Sequence, residues 1–89
     1  ISADAFEPSW GLRERSMETA ILKKIVVEQS KNVIATLDNT KFGAKASAPI
    51  CRTKEITTIV TDSASPASEI EYLRKIGVEV VIADPYSET

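Results

Sequence analysis

The sequence predicts a small α/β domain in which a mostly parallel sheet is joined by crossover helices. Three β-prone apolar runs occur at 33–37, 56–61 and 78–83. Helix-type segments at 17–31 and 66–76 lead into the first and the last of these runs. Strands that alternate with helices in this way are typical of parallel strands with right-handed crossover connections.

The composition fits one small domain and excludes several classes of protein. The chain has 89 residues, 43% of them hydrophobic and 27% charged, with a net charge of −2 and no histidine. A negative balance argues against a nucleic-acid surface in this segment, because phosphate contacts need a basic patch. No apolar run is long enough to span a membrane. The chain starts at Ile1 rather than at methionine, so we expect a single partial domain, 1–89, cut from a longer protein.

The single cysteine, Cys51, fits a reducing cytoplasm. The chain has no histidine to activate this thiol, so we expect a plain buried side chain rather than a nucleophile. The lack of histidine also excludes a metal site built on imidazole, and the sequence predicts no metal and no cofactor.

The first half of the chain is expected to be a loop followed by a helix. Residues 5–16 contain Pro8, Trp10, Gly11 and four charges, which predicts a loop. Ser16 is a suitable N-cap for a helix over 17–31. The clearest apolar face of this helix is formed by Ile21, Leu22 and Ile25, and a second side carries Ala20 and Val27. Two apolar sides predict a helix that is covered on both of them.

The run 33–37 is continuously apolar up to Leu37, which predicts a strand buried on both faces. Residues 38–54 are predicted to be mostly irregular, with one helical turn near 42–47. Pro49 excludes a long helix there. The run 56–61 is the second clear strand.

The last helix has strong start and stop signals. Ser65 is the predicted N-cap, Pro66 suits the first helical position, and Gly77 is suited to end the helix. The predicted inward stripe consists of Ile70, Leu73 and Ile76. The strand 78–83 follows, and a polar tail begins at Pro85.

Aspartates follow the predicted strands at one edge of the sheet. Asp38, Asp62 and Asp84 each come after a strand, and Asp4 does so if Ile1–Ala3 ends one. Ligands of open α/β sheets bind at this carboxyl edge, where carboxylates suit sugar hydroxyls. Aspartate also starts turns and caps helices, which is the favoured explanation for Asp62 and Asp84, while Asp4 and Asp38 stay open between the two roles.

Three further polar or aromatic features have competing explanations. Lys41 can meet a phosphate as a point charge or can be a solvated lysine in a turn. Trp10 can stack on a sugar or can cover a sheet edge in an oligomer. The pair Lys23-Lys24 is expected to be a solvated helix face.

At Asp38–Gly43 the chain resembles the DeoR family of bacterial repressors, which typically shows Asp-x-Ser-Lys-Phe-Gly after an apolar strand. Thr40 stands here where serine is usual. The segments 56–62 and 77–83 resemble the following strand and the closing strand of the family. The stretch Ser2–Phe6 is similar to the family's Gly-Ala-Asp-Gly-Ile in altered form, with Asp4 retained.

The resemblance implies the sensor domain of a sugar-responsive regulator and not an enzyme. It implies the fold shared with ribose-5-phosphate isomerase and sugar-phosphate deaminases, and a phosphorylated sugar as effector. Its ligand-binding candidates are Asp4, Asp38 and Lys41. The family's phosphate loop and DNA-binding helix-turn-helix are expected upstream of Ile1, and a homo-oligomer is expected. We therefore expect weak or absent sugar binding by the 89 residues alone.

Two alternatives remain at this stage. A fragment of a sugar-phosphate isomerase or deaminase needs a positioned acid and base. The run Ala5-Phe6-Glu7 breaks the fuller acidic run expected of an isomerase. A plain oligomerisation segment is the other alternative.

Overall fold

A computed structural model describes residues 1–84, and the predicted polar tail from Pro85 lies outside the described residues. Within these residues, six strands form two three-stranded sheets, with the order β1-β2-β4 in one and β3-β5-β6 in the other, and there are two α-helices. The elements are β1 (Ala5–Glu7), β2 (Gly11–Glu14), α1 (Met17–Glu28), β3 (Ile34–Thr36), β4 (Ala48–Arg52), β5 (Thr58–Thr61), α2 (Ala67–Lys75) and β6 (Glu79–Ile82). Within residues 1–84, neither helix has the length and apolar character needed to cross a bilayer.

The parallel sheet confirms the predicted α/β architecture in its second half. β3 pairs with β5 and β5 with β6, all in parallel. Ile1 continues this sheet beyond β3, because its amino group donates to Ile34 O (2.7 Å) and its carbonyl accepts from Thr36 N (2.8 Å). The start of the chain therefore runs alongside β3, although residues 1–3 do not form a strand of their own before Asp4.

The antiparallel sheet corrects the prediction of a mostly parallel sheet. Residues 5–16, predicted as a loop, contain β1 and β2 joined by a tight turn in which Trp10 N donates to Glu7 O (2.9 Å). β4 lies inside 38–54, which was expected to be irregular, and it pairs with β2. Pro49 is tolerated in β4 because β4 is an edge strand.

Short 3₁₀ turns replace the helical turn that was predicted near 42–47. One covers Asn39–Lys41 directly after β3, and the other covers Thr53–Glu55 after β4. The first turn begins earlier than expected because Asp38 caps it with its own side chain.

Only one face of β3 is buried, which corrects the prediction of burial on both faces. Ala35 is fully buried and lies in register with Ile59 and Val80 in the core. Ile34, pointing to the other face, is 51% exposed. The core cluster therefore lies on the Ala35 side of the parallel sheet.

The core-facing side of α1 is the smaller of its two predicted apolar sides. Ala20 and Val27 are buried, and α1 packs mainly on β4. The larger side is more than half exposed at each of Ile21, Leu22 and Ile25. Ser16 caps the helix as predicted, accepting from Thr19 N, but the helix ends at Glu28 rather than at residue 31.

The second helix keeps its predicted stop but not its predicted cap. Gly77 has φ +98° immediately after the helix, which confirms it as the terminator. Ser65 does not cap α2, because its hydroxyl lies 2.7 Å from the Thr61 hydroxyl in a buried pair, and Pro66 takes the cap position. Ile70 and Leu73 are buried as expected, whereas Ile76 is 48% exposed.

Candidate functional site

The turn after β3 brings two of the predicted ligand residues together. Asp38 Oδ1 accepts from Thr40 N (2.8 Å) and from the Thr40 hydroxyl. These bonds, the hydroxyl first, hold the pKa of Asp38 below its usual range. Lys41 Nζ lies 3.5 Å from Asp38 Oδ2. The turn therefore presents an exposed carboxylate and an adjacent ammonium at the carboxyl edge of the parallel sheet.

Asp62 anchors this turn to the neighbouring strand. Its Oδ2 accepts from Asn39 N (2.8 Å) and its Oδ1 accepts from Ala64 N (2.9 Å). Asp84 accepts from the Ser63 hydroxyl (2.6 Å). Asp62 and Asp84 thus both accept hydrogen bonds from loop residues, which agrees with the explanation that they stabilise turns.

An open cleft of about 260 Å³ lies at this edge of the sheet. Its lining residues come from the ends of the three parallel strands and are Thr36, Leu37, Asp38, Val60, Thr61, Asp62 and Ala83. A small polar ligand can therefore reach both the Asp38 carboxylate and the strand ends.

Asp4 lies on the segment beside this turn. The segments that begin at Ile1 and at β3 are bridged at Ile1–Thr36 and again where Gly43 N donates to Phe6 O (3.1 Å). Asp4 and the Asp38 turn both lie between these two bridges. The Asp4 carboxylate accepts from Arg15 N (2.8 Å), which is the main reason that the pKa of Asp4 is lowered. Within residues 1–84, no hydrogen bond or ion pair joins Asp4 to Asp38 or Lys41.

Lys23 is not the solvated lysine that the sequence predicted. Its ammonium pairs with the carboxylate of Glu14 and also donates to Ser2 O (2.5 Å). Glu14 is buried, with 5% of its surface exposed. Lys24, which follows Lys23 in the chain, is exposed as expected. The pair holds α1, β2 and the start of the chain together.

One face of the Trp10 ring is covered by Arg13, so that face is not open to a sugar. The guanidinium carbon of Arg13 lies 4.2 Å from the centroid of the indole ring. Sequence reasoning missed Arg13 because its placement depends on the hairpin that was predicted as a loop. No alternating pattern was available over 11–14, because three of these four residues are buried and four residues are too few to establish a period.

The match to a known protein family covers most of the chain. A family model described as the DeoR C terminal sensor domain matches residues 1–63. The chain belongs to this family. Membership in the DeoR sensor-domain family confirms the resemblance at Asp38–Gly43 and the prediction that the chain is not an enzyme.

Relatives of this DeoR sensor domain are transcriptional regulators. The chain is 30% identical over 82 residues to the putative aga operon transcriptional repressor of Escherichia coli O157:H7, an alignment covering 92% of the chain and 30% of the relative. It is 26% identical over 81 residues to the HTH-type transcriptional repressor CsqR of Escherichia coli strain K12, covering 91% of the chain and 31% of the relative. It is 26% identical over 84 residues to the HTH-type transcriptional regulator GolR of Listeria innocua serovar 6a, covering 94% of the chain and 33% of the relative. The chain therefore spans about a third of the length of these relatives.

Cys51 of this DeoR domain is buried, as predicted. Burial raises the pKa of its thiol from 9.0 to about 11. We expect native Cys51 to react with iodoacetamide at pH 8 about a hundredfold more slowly than in the unfolded chain, because thiolate is the reactive form. Mass spectrometry with and without denaturant measures this ratio, and equal rates would contradict the burial.

The same shift makes stability depend on alkaline pH. The folded state retains the thiol proton at a pH where the unfolded chain loses it. The contribution of the protonated Cys51 thiol to the free energy of unfolding is complete below pH 9.0 and is lost as the pH rises through about 11. The variant Cys51→Ala is expected to lack this part of the alkaline loss.

Proposed function

We propose that this domain is the effector-sensing part of a cytoplasmic sugar-responsive transcription regulator. Its effector is a phosphorylated sugar, and the ligand changes DNA binding by a helix-turn-helix domain upstream in the full-length protein. Membership in the DeoR sensor-domain family supports the regulatory role. The observation that carries the ligand class is the Asp38–Lys41 turn at the open carboxyl edge of the sheet.

The turn offers the two kinds of group that a phosphorylated sugar needs. Asp38 leaves Oδ2 for the Lys41 ammonium and for a ligand hydroxyl, because its Oδ1 is engaged by Thr40. The Asp38 side chain is 55% exposed and that of Lys41 is 33% exposed. A ligand hydroxyl donates to the carboxylate, and an anionic or carbonyl oxygen accepts from the ammonium.

Asp4 is proposed as a third ligand residue. Its Oδ2 is held by Arg15 N, which fixes the carboxylate and keeps it ionised. A fixed anion loses little freedom on binding a hydroxyl. The position of Asp4 near the turn after β3 supports this role. Hydrogen bonds join the segment that carries Asp4 to the segment that carries the turn, once before Asp4 and once after it.

The remaining parts of the proposal concern the full-length protein. We propose that residues 1–89 form the C-terminal portion of the sensor domain, with part of the pocket supplied from upstream. Relatives three times as long support an upstream portion. Self-association is also proposed, and light scattering on the full-length protein tests it, since a strictly monomeric protein would contradict it.

Lys41→Gln is expected to weaken effector binding at least tenfold. Glutamine removes the positive charge that meets an oxyanion, and one charge-assisted contact is worth about 1.5–3 kcal/mol. The experiment titrates the full-length protein with a panel of sugar phosphates and their unphosphorylated sugars by calorimetry. Asp38→Asn retains a side chain that can cap the turn and is expected to weaken the same ligand.

The matched control is Lys31→Gln, which removes an equally charged, exposed lysine that precedes β3, whereas the turn follows β3. It is expected to bind the effector normally. Equal affinities for Lys41→Gln, Lys31→Gln and the unaltered protein would contradict the assigned site. Equal binding of sugars with and without phosphate would contradict the proposed ligand class.

A further inference from the structure

A second cleft lies outside the Asp38–Lys41 turn. It has a volume of about 510 Å³ and lies between the β1–β2 hairpin and the loop 43–47. Neither the sequence prediction nor the family match assigns a role to it.

The β1–β2 hairpin forms one wall of this cleft. Ala5 lies opposite Arg13, and Glu7 lies opposite Gly11, so these four positions share one face of the sheet. The other face carries Phe6 and other buried core residues. Both Ala5 and Gly11 line the cleft, and the short side chain of Ala5 leaves room there that a larger side chain would fill.

The cleft has two cationic side chains, Arg13 and Lys45, and one acidic side chain, Glu7, in its lining. Within residues 1–84 neither cation makes an ion pair, because the two ion pairs there belong to Lys23 and Lys41. An unpaired arginine and lysine that share a cleft favour an anionic ligand.

Trp10 positions the guanidinium of Arg13 without consuming its hydrogen-bonding capacity. The guanidinium carbon of Arg13 lies 4.2 Å from the centroid of the indole ring. A cation–π contact of this kind uses no hydrogen-bond acceptor, so the guanidinium N–H groups can donate in a fork that matches an oxyanion. The contact also reduces the freedom that Arg13 would lose on binding.

The loop side of the cleft adds backbone donors. Gly43 N and Ala44 N donate to carbonyl oxygens within the protein. The N–H groups of Lys45 and Ala46 have no backbone acceptor among the described residues. Short side chains at Ala44 and Ala46 leave the loop backbone accessible to a ligand.

We propose that this cleft is an oxyanion site, which holds a phosphoryl or carboxylate group of a small molecule between Arg13 and Lys45. The site borders the proposed sugar site, because Ala5 follows Asp4 and Gly43 follows Lys41 by two residues. The idea that this oxyanion is a charged group of the same effector rests on the proposed function. The binding of an oxyanion by the cleft is independent of the proposed function.

Trp10 supplies a local readout for the test. Inorganic phosphate is added to the full-length protein at constant ionic strength, and tryptophan emission is recorded for the unaltered protein and for Trp10→Phe. The difference between the two isolates the signal of Trp10. We expect a saturable phosphate-dependent change in this signal, which Arg13→Gln weakens at least tenfold and Lys45→Gln weakens to a smaller degree. Acetate in a parallel titration separates a phosphoryl site from a general carboxylate site.

Lys31→Gln is again the charge-matched control and is expected to leave the phosphate response unchanged. No Trp10-dependent response to either anion would overturn the proposal. A response that is the same in Arg13→Gln, Lys45→Gln and the control would also overturn it. A failure of every sugar phosphate to alter DNA binding would contradict the proposed function alone, because the cleft is titrated without sugar or DNA.

Discussion

Gly11→Ala is expected to destabilise the protein by about 4 kcal/mol, the largest effect of any single methyl group here. A Cβ at position 11 would lie 2.0 Å from Cys51 O and 2.7 Å from Arg52 Cα. Both atoms belong to the β4 backbone, so neither can move aside without breaking the β2–β4 pairing. The φ of +146° adds strain for any residue with a side chain. Urea unfolding, followed by far-UV circular dichroism, measures the loss.

Gly43→Ala and Gly77→Ala are matched controls for backbone strain alone. Both glycines have positive φ, at +77° and +98°, but an added Cβ would meet nothing within 4 Å. Each is expected to cost about 1 kcal/mol. An effect of Gly11→Ala no larger than theirs would show that β4 does not approach β2 as closely as the structure places it.

Lys23→Met is expected to destabilise the protein by about 3 kcal/mol, because it leaves the buried Glu14 carboxylate without its cation. The same change also removes the bond to Ser2 O at the start of the chain. Methionine retains most of the apolar stem, so the loss reports the charge rather than packing. Thermal and urea unfolding of the variant measure the effect.

Lys24→Met is the control for this prediction, since it makes the identical change at the next, exposed position. It is expected to shift stability by less than about 0.5 kcal/mol. The double variant Lys23→Met/Glu14→Gln is expected to recover part of the loss by removing the uncompensated charge. Similar losses for Lys23→Met and Lys24→Met would contradict the buried pair.

The parallel sheet and α2 could be predicted because their signals are local and long enough. The runs 56–61 and 78–83 are dense in β-branched residues, and Gly77 marks the helix end through a conformation that glycine adopts readily. These features do not depend on which distant segment packs against them.

The hairpin and the buried side of α1 could not be predicted from local signals. β1 and β2 have three and four residues, too short for an alternating pattern to stand out among Pro8 and the charges. The sheet that buries α1 includes β4, which was itself missed. The sequence therefore predicted that both apolar sides of the helix are covered, whereas only the smaller side is buried.

The candidate site shows the same division. The spacing of Asp38 and Lys41 within one turn placed them together in the sequence, and the turn does so in the structure. The Arg13 cleft depends on which residues of β1 and β2 lie opposite each other, and on the approach of the loop 43–47. That arrangement is tertiary, so no sequence pattern revealed it.

The most direct test of the sensor assignment is effector-dependent DNA binding by the full-length protein. Fluorescence anisotropy measures its affinity for labelled DNA from upstream of its own gene, with and without each sugar phosphate of the panel. We predict that at least one sugar phosphate changes the DNA affinity tenfold or more, that its unphosphorylated sugar does not, and that Lys41→Gln abolishes the change while DNA binding without effector is retained. A DNA affinity that no phosphorylated sugar alters, or a response that persists undiminished in Lys41→Gln, would contradict the account.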